Sequence, residues 1–206
     1  MKKTLLITAL SLIGIFSSNA QDKGDFELGF GVGLNISNVS TIDNQDNASS
    51  LISFNAGASG EYYFSDRWGV KAKLIYDRKG WSDGFITDEN MISLTTDFKV
   101  DYVTLPIMAN WHFGKNRNWY LNFGPYVGFL VKAEDSELGI DFKDGFKSND
   151  FGLAYGIGYK FEINESIKLY VEYDGQAGLT DIFEENEGST IRNGRSSFNV
   201  GLLYSL

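Results

Sequence analysis

From Asp25 to Leu206 the chain runs through eight segments in which large apolar residues alternate with small or polar ones. The segment at 150–163 is the clearest. Phe151, Leu153, Tyr155, Ile157, Tyr159, Phe161 and Ile163 occupy the odd positions, and Gly152, Ala154, Gly156, Gly158, Lys160 and Glu162 the even ones. A helix cannot make a face from period two, so this segment is a strand. The same pattern places strands near 25–39, 51–65, 67–81, 98–113, 117–133, 166–180 and 194–206. Segments of this length exceed an ordinary strand, whereas tilted membrane strands need about 9–11 residues for the bilayer alone.

The connections alternate as well. Residues 40–50, 82–97, 134–149 and 181–193 are long and polar, while the links at Asp66, Gly114-Lys115-Asn116 and Asn164-Glu165 are short. Long links on one side and short ones on the other describe an eight-stranded antiparallel up-and-down barrel. In an outer-membrane barrel the short turns are periplasmic and the long loops extracellular, so the first and last strands of the barrel are expected to start and finish on the periplasmic side.

Residues 1–20 read as a secretory signal peptide. Lys2 and Lys3 precede an apolar run from Leu5 to Phe16, and Ser18-Asn19-Ala20 offers a small-residue cleavage site. That run is too short to cross a bilayer of about 30 Å as a helix. The expected mature domain is 21–206. Losing two lysines and no acid takes the net charge from −9 to −11. This acidity argues against a nucleic-acid partner. With no cysteine there is no disulfide framework and no thiolate metal site.

Alternation by itself also fits a soluble lipocalin-like carrier with an apolar pocket. Three features favour a membrane barrel. By parity the polar face carries Glu27, Glu61, Asp77, Glu162, Glu172 and Asp174 against Lys71, Lys73, Lys132, Lys160, Lys168 and Arg195. A closed interior must balance its charges, because an unpaired buried charge is very costly. On the apolar face, Tyr62, Phe64, Trp68, Trp111, Phe113, Trp119, Tyr159, Phe161 and Tyr204 gather at the short-turn rim, as rings do at a headgroup girdle. The last strand runs to Tyr204-Ser205-Leu206, with Leu where such barrels usually end on an aromatic residue.

Several segments resemble the small outer-membrane β-barrel domain proteins of Gram-negative bacteria, often labelled porin-family or PorT-like. The resemblance rests on Gly31-Val32-Gly33-Leu34-Asn35-Ile36-Ser37-Asn38, Tyr102-Val103-Thr104-Leu105-Pro106-Ile107, Phe123-Gly124-Pro125-Tyr126-Val127-Gly128-Phe129 and Asp150-Phe151-Gly152-Leu153. It implies fold and location, and no catalytic residues.

No motif points to an enzyme or a cofactor. Gly29, Gly31 and Gly33 alternate within a strand, whereas a phosphate loop needs a turn into a helix. His112, the one histidine, sits by parity at the periplasmic rim without neighbouring metal ligands. The clusters Glu134, Asp135, Glu137, Asp141, Asp144 and Asp181, Glu184, Glu185, Glu187 lack the ordered spacing of a calcium loop and read as solvated loop charge. The expected protein is a monomer in the outer-membrane lipid with a side-chain-filled lumen. Its role is structural or exercised through partners at the loops. The alternative is a narrow transport path.

Overall fold

A computed structural model describes residues 23–40, 48–87 and 93–206; the expected signal peptide lies outside them. Eight strands form one closed antiparallel barrel: β1 (Phe26–Val39), β2 (Ser49–Tyr63), β3 (Trp68–Thr87), β4 (Ser93–Phe113), β5 (Trp119–Asp135), β6 (Asn149–Glu162), β7 (Ile167–Gly178) and β8 (Asn193–Ser205). Closure of β8 on β1 leaves no sheet edge, which is what allows strands to cross hydrocarbon.

The register fixes the dimensions. From Phe26 the ladder passes through Tyr62, Val70, Ala109, Phe123, Tyr155, Gly175 and Ser196 and returns to β1 at Ile36, ten residues on. Eight strands with that stagger, at about 3.3 Å per residue and 4.7 Å between strands, tilt by about 41°. The corresponding backbone radius is about 8 Å, which side chains can fill.

The outer face is apolar where it matters. Ile52, Phe30, Leu34 and Phe198 are 74, 65, 64 and 63 % exposed. In water such a surface would be an aggregation hazard; against lipid tails it is at home. Its lower limit is a row of rings. Its upper limit on β3 and β4 is the outward pair Arg78–Asp101, joined by two hydrogen bonds of 2.7 and 2.8 Å. From Trp68 to Arg78 the strand advances ten residues, which at this tilt spans about 25 Å, the height of an outer-membrane apolar band.

At the two ends of the barrel two expectations need correcting. The connection at 82–97 is largely strand, since β3 continues to Thr87 and β4 begins at Ser93. The short turns are four or five residues rather than one to three, because the strands stop earlier and bonds such as Ile163 N–H to Ile167 O close the corners. The β3–β4 extension is bent by a bulge between Trp81 and Gly84. Gly80 in this stretch has φ +128°, and a Cβ there would stand 1.8 Å from the Phe98 carbonyl oxygen. Only glycine fits.

Candidate functional site

Two regions hold the side chains that could carry function: the lumen and the extracellular cap.

The lumen is filled by charge pairs in three tiers. At the periplasmic end, Glu27 and Glu61 face each other across β1 and β2, a like-charge pairing that would repel on its own. Lys160 bridges them, at 2.5 Å from Glu27 and 3.4 Å from Glu61. Lys168 lies 2.6 Å from Glu27, and Tyr63 donates its hydroxyl to the same carboxylate at 2.7 Å. Glu61 also contacts His112 Nε2 at 2.6 Å and accepts from Asn110 at 2.8 Å. His112 is thus a buried partner of a carboxylate and not an open catalytic base.

In the middle tier Glu172 takes Lys73, Lys71 at 3.4 Å and the Asn122 amide at 3.1 Å. Lys73 also reaches Asp174 at 3.1 Å, and Arg195 joins Asp174 to Asp77. The Lys71 ammonium stands over the Tyr120 ring, 4.6 Å from its centroid. In the upper tier Asp150 receives Lys79 at 2.9 Å, the Tyr126 hydroxyl at 3.1 Å and the Asn193 amide at 3.0 Å.

Ten of the twelve residues assigned to the interior by parity lie there: Glu27, Glu61, Lys71, Lys73, Asp77, Lys160, Lys168, Glu172, Asp174 and Arg195. Lys132 and Glu162 do not. The ladder shifts between Asp101 and Tyr102, whose β5 partners are Lys132 and Leu130. Val131 is left over, the inside–outside order of β5 reverses, and Lys132 turns outward to pair with Glu134 at 2.5 Å. Glu162 is the last residue of β6, exposed at the periplasmic rim.

Lys79 and Asp150 take their places, and the same parity rule could have found both. The lumen therefore still holds six acids and six bases among the described residues.

The rings of the periplasmic rim touch one another in sequence around the wall. Trp68 stacks on Trp111 with centroids 6.2 Å apart, Trp111 on Phe113 at 5.0 Å, and Phe113 on Trp119 at 6.2 Å. Trp119 meets Tyr159 edge-on at 5.0 Å, and Tyr159 meets Phe161 at 4.6 Å. Tyr62 and Phe64 are outward and exposed on the β2 side, and Tyr204 is half-buried near the end of β8.

The cap went unread in the sequence. Loops 136–148 and 179–192 fold onto the β3–β4 extension around Trp81, Val100, Ala133, Phe146, Ile182 and Ile191, all buried. Trp81 stacks on Phe98 at 4.7 Å, and Phe146 packs on Phe183 at 4.8 Å. Backbone bonds tie the loops together, Lys147 N–H to Ile182 O at 2.8 Å and Glu184 N–H to Gly145 O at 3.0 Å, while Ile182 N–H to Ile191 O at 2.9 Å closes the second loop on itself.

Two acids expected to be solvated organise these loops instead. Asp135 accepts from the amides of Glu137, Leu138 and Ile140 at 2.9, 2.7 and 2.7 Å. Burial alone would raise its pKa, but those donors hold the carboxylate below its ordinary value. Asp181 accepts from the Phe183 amide and the Asn186 side chain. Among the described residues no three acidic or histidine side chains converge as a metal set.

Known proteins agree with this architecture. Over 89–91 % of this chain and 98–99 % of theirs, two solved outer-membrane structures superpose on it. OprG of Pseudomonas aeruginosa is 15 % identical with a TM-score of 0.54. Ail, the attachment invasion locus protein of Yersinia pestis, is 16 % identical with a TM-score of 0.50 in its complex with the heparin analogue sucrose octasulfate. Neisserial surface protein A is similar, at 15 % identity and a TM-score of 0.53 over 87 % of this chain and 96 % of its own. No curated protein matches the chain in sequence. The model of the outer membrane protein beta-barrel domain matches residues 17–184, and the chain belongs to that family of the bacterial outer membrane.

Proposed function

We propose that this protein acts through its extracellular loops, with the barrel as a sealed anchor. The observation that carries the reading is the packing of the lumen. A cavity between Lys73, Asp174, Tyr170 and Asn199 measures about 20 Å³, room for about one water. Above and below it the charge pairs are buried and interlocked. Solutes have no path through them unless several ion pairs part together. The ring row from Trp68 to Phe161 serves as the periplasmic headgroup belt that holds the anchor at its depth.

Charge supports the same division. The connections at 40–50, 82–97, 134–149 and 181–193 carry net charges of −2, −4, −3 and −3. The rest of the mature chain is close to neutral. The negative charge of the mature chain thus lies in the long connections, which suit neutral or cationic partners. Ail was solved with a polysulfated ligand; a polyanion of that kind would meet repulsion here.

Planar-bilayer recording tests the sealed lumen. The expected trace is flat. Stable large openings in the wild type, or conductance that rises when Lys71 or Glu172 is neutralised, would replace this reading with transport through the barrel.

A further inference from the structure

The cap is not packed shut. Between the loop at 136–148 and the β3–β4 extension lies a groove of about 380 Å³, within the size range of small-ligand pockets. Aromatic rings form its walls, those of Trp81, Phe98, Phe142, Phe146 and Phe183. Asp141 and Asp144 stand at its edge, both exposed. The Asp144 carboxylate makes no hydrogen bond or ion pair among the described residues, and the indole N–H of Trp81, itself 3 % exposed, has no acceptor.

The composition of this groove identifies its ligand class. A cavity walled by rings alone would take any apolar molecule. Ring faces carry negative potential, and two carboxylates at the mouth add charge of the same sign. The connections 134–149 and 181–193, which contain the cap loops, each have a net charge of −3, Lys143 and Lys147 included, so the surrounding field has that sign too. An anion is repelled, and an uncharged apolar molecule leaves the carboxylates idle. We propose that the groove is a binding site for a small organic cation, an alkylated ammonium whose methyl groups lie on Trp81, Phe142, Phe146 and Phe183 while Asp141 and Asp144 balance its charge. This assignment rests on the loop-based reading above and gives the loops a first ligand class.

Tryptophan placement supplies a clean readout. Trp68, Trp111 and Trp119 belong to the periplasmic ring row, and Trp81 alone lines the groove. Full-length protein carrying 5-fluorotryptophan, folded in lipid bicelles, is titrated with choline chloride at constant ionic strength and followed by fluorine NMR. Trp81→Phe assigns the resonance. The expected result is a saturable shift of the Trp81 signal with the other three unmoved. The uncharged isostere 3,3-dimethylbutan-1-ol should give none. Asp141→Asn with Asp144→Asn should raise the midpoint about three- to tenfold.

A Trp81 signal that does not saturate, or one that responds equally to choline and its neutral isostere, overturns the assignment. So does a midpoint unchanged in the double variant, once its heat-modifiable shift on an unboiled gel confirms a folded barrel. The wild-type comparison of the two probes decides the matter without the variant. Absence of choline binding in a protein that also shows a flat conductance trace removes this inference and leaves the sealed anchor standing. Large openings in the same preparation would remove the reading beneath it.

Discussion

The barrel and the cap are two cores of opposite polarity that share one pair of strands, β3 and β4. β3 carries Lys71, Lys73 and Asp77 inward at membrane level and Trp81 inward above it. β4 places Asn110 and His112 in the lumen and Val100 in the cap. What changes along the strand is the solvent outside. At membrane level the exterior is hydrocarbon, so burying an apolar side chain inside gains nothing, and polar groups collect in the interior where they can pair. Above the headgroups the exterior is water, and the ordinary hydrophobic effect puts the rings inside and the carboxylates out. Interior polarity follows the surrounding medium.

The sharpest test of the polar core is to remove one charge from its middle. Glu172→Ala leaves Lys71 without its carboxylate and Lys73 with one acid instead of two. A loss of about 3–5 kcal/mol is expected, because the stranded ammonium stays in a dry interior. Urea unfolding of the bilayer-inserted protein measures it. Replacing both members, Lys71→Met with Glu172→Leu, should recover much of that loss. Equal losses for the single and the double change would mean that the tier is held by packing rather than by charge balance.

In the apolar core the corresponding change is Ile182→Ala, at 1 % exposure in the middle of the cap. Here about 2–4 kcal/mol should be lost through the cavity left behind. The loss should appear as faster hydrogen exchange at Lys147 and Glu184, whose amides tie the two loops, with the unfolding midpoint of the barrel unmoved. A shift of both together would show that cap and barrel are one cooperative unit and would break the distinction between them.

A smaller effect is expected at the junction. Asp135→Asn weakens three charge-assisted bonds to the amides of the following turn and should cost about 1–2 kcal/mol of local order. Its folded pKa lies below the ordinary carboxylate value. The stabilisation is therefore fully present above about pH 4 and is lost only as pH falls through the depressed folded value. Exchange at Glu137, Leu138 and Ile140 should stay slow from neutrality down to pH 4. Acceleration already at pH 5–6 would point to another titrating group.

The strands and the polarity of their faces were legible because period two survives wherever the ladder is regular. β6 is regular throughout, and its inside and outside can be read residue by residue. Reading failed where backbone conformation broke the period. The bulge after Trp81 is signalled by Gly80 and Gly84, but a glycine in a barrel strand is too common to announce one. Nothing in the local sequence distinguishes Val131, the extra residue of β5, from the valines that pair normally. The cap escaped for another reason. Phe142, Phe146, Ile182 and Ile191 are scattered among acids with no period, and only the meeting of two loops distant in sequence makes them a core. Charge balance was sturdier than membership, since the six-to-six count holds although Lys132 and Glu162 give way to Lys79 and Asp150.

That exchange supplies the smallest and most discriminating effect. By parity alone Lys132 and Lys160 are equivalent, two inward lysines on neighbouring strands. The bulge at Val131 separates them: Lys132 is exposed and holds Glu134 across an open surface, while Lys160 is buried between Glu27 and Glu61. An exposed pair loses in side-chain entropy and solvent screening most of what it gains by attraction. Lys132→Ala should leave the urea midpoint of the inserted protein unchanged, in low salt and in high salt. Lys160→Ala should lower it strongly, because Glu27 and Glu61 would then face each other with Lys168 as the one lysine left in the pairing, on the Glu27 side. If the two substitutions cost the same, β5 is regular through Val131, and the polar core reaches one tier higher than the structure places it.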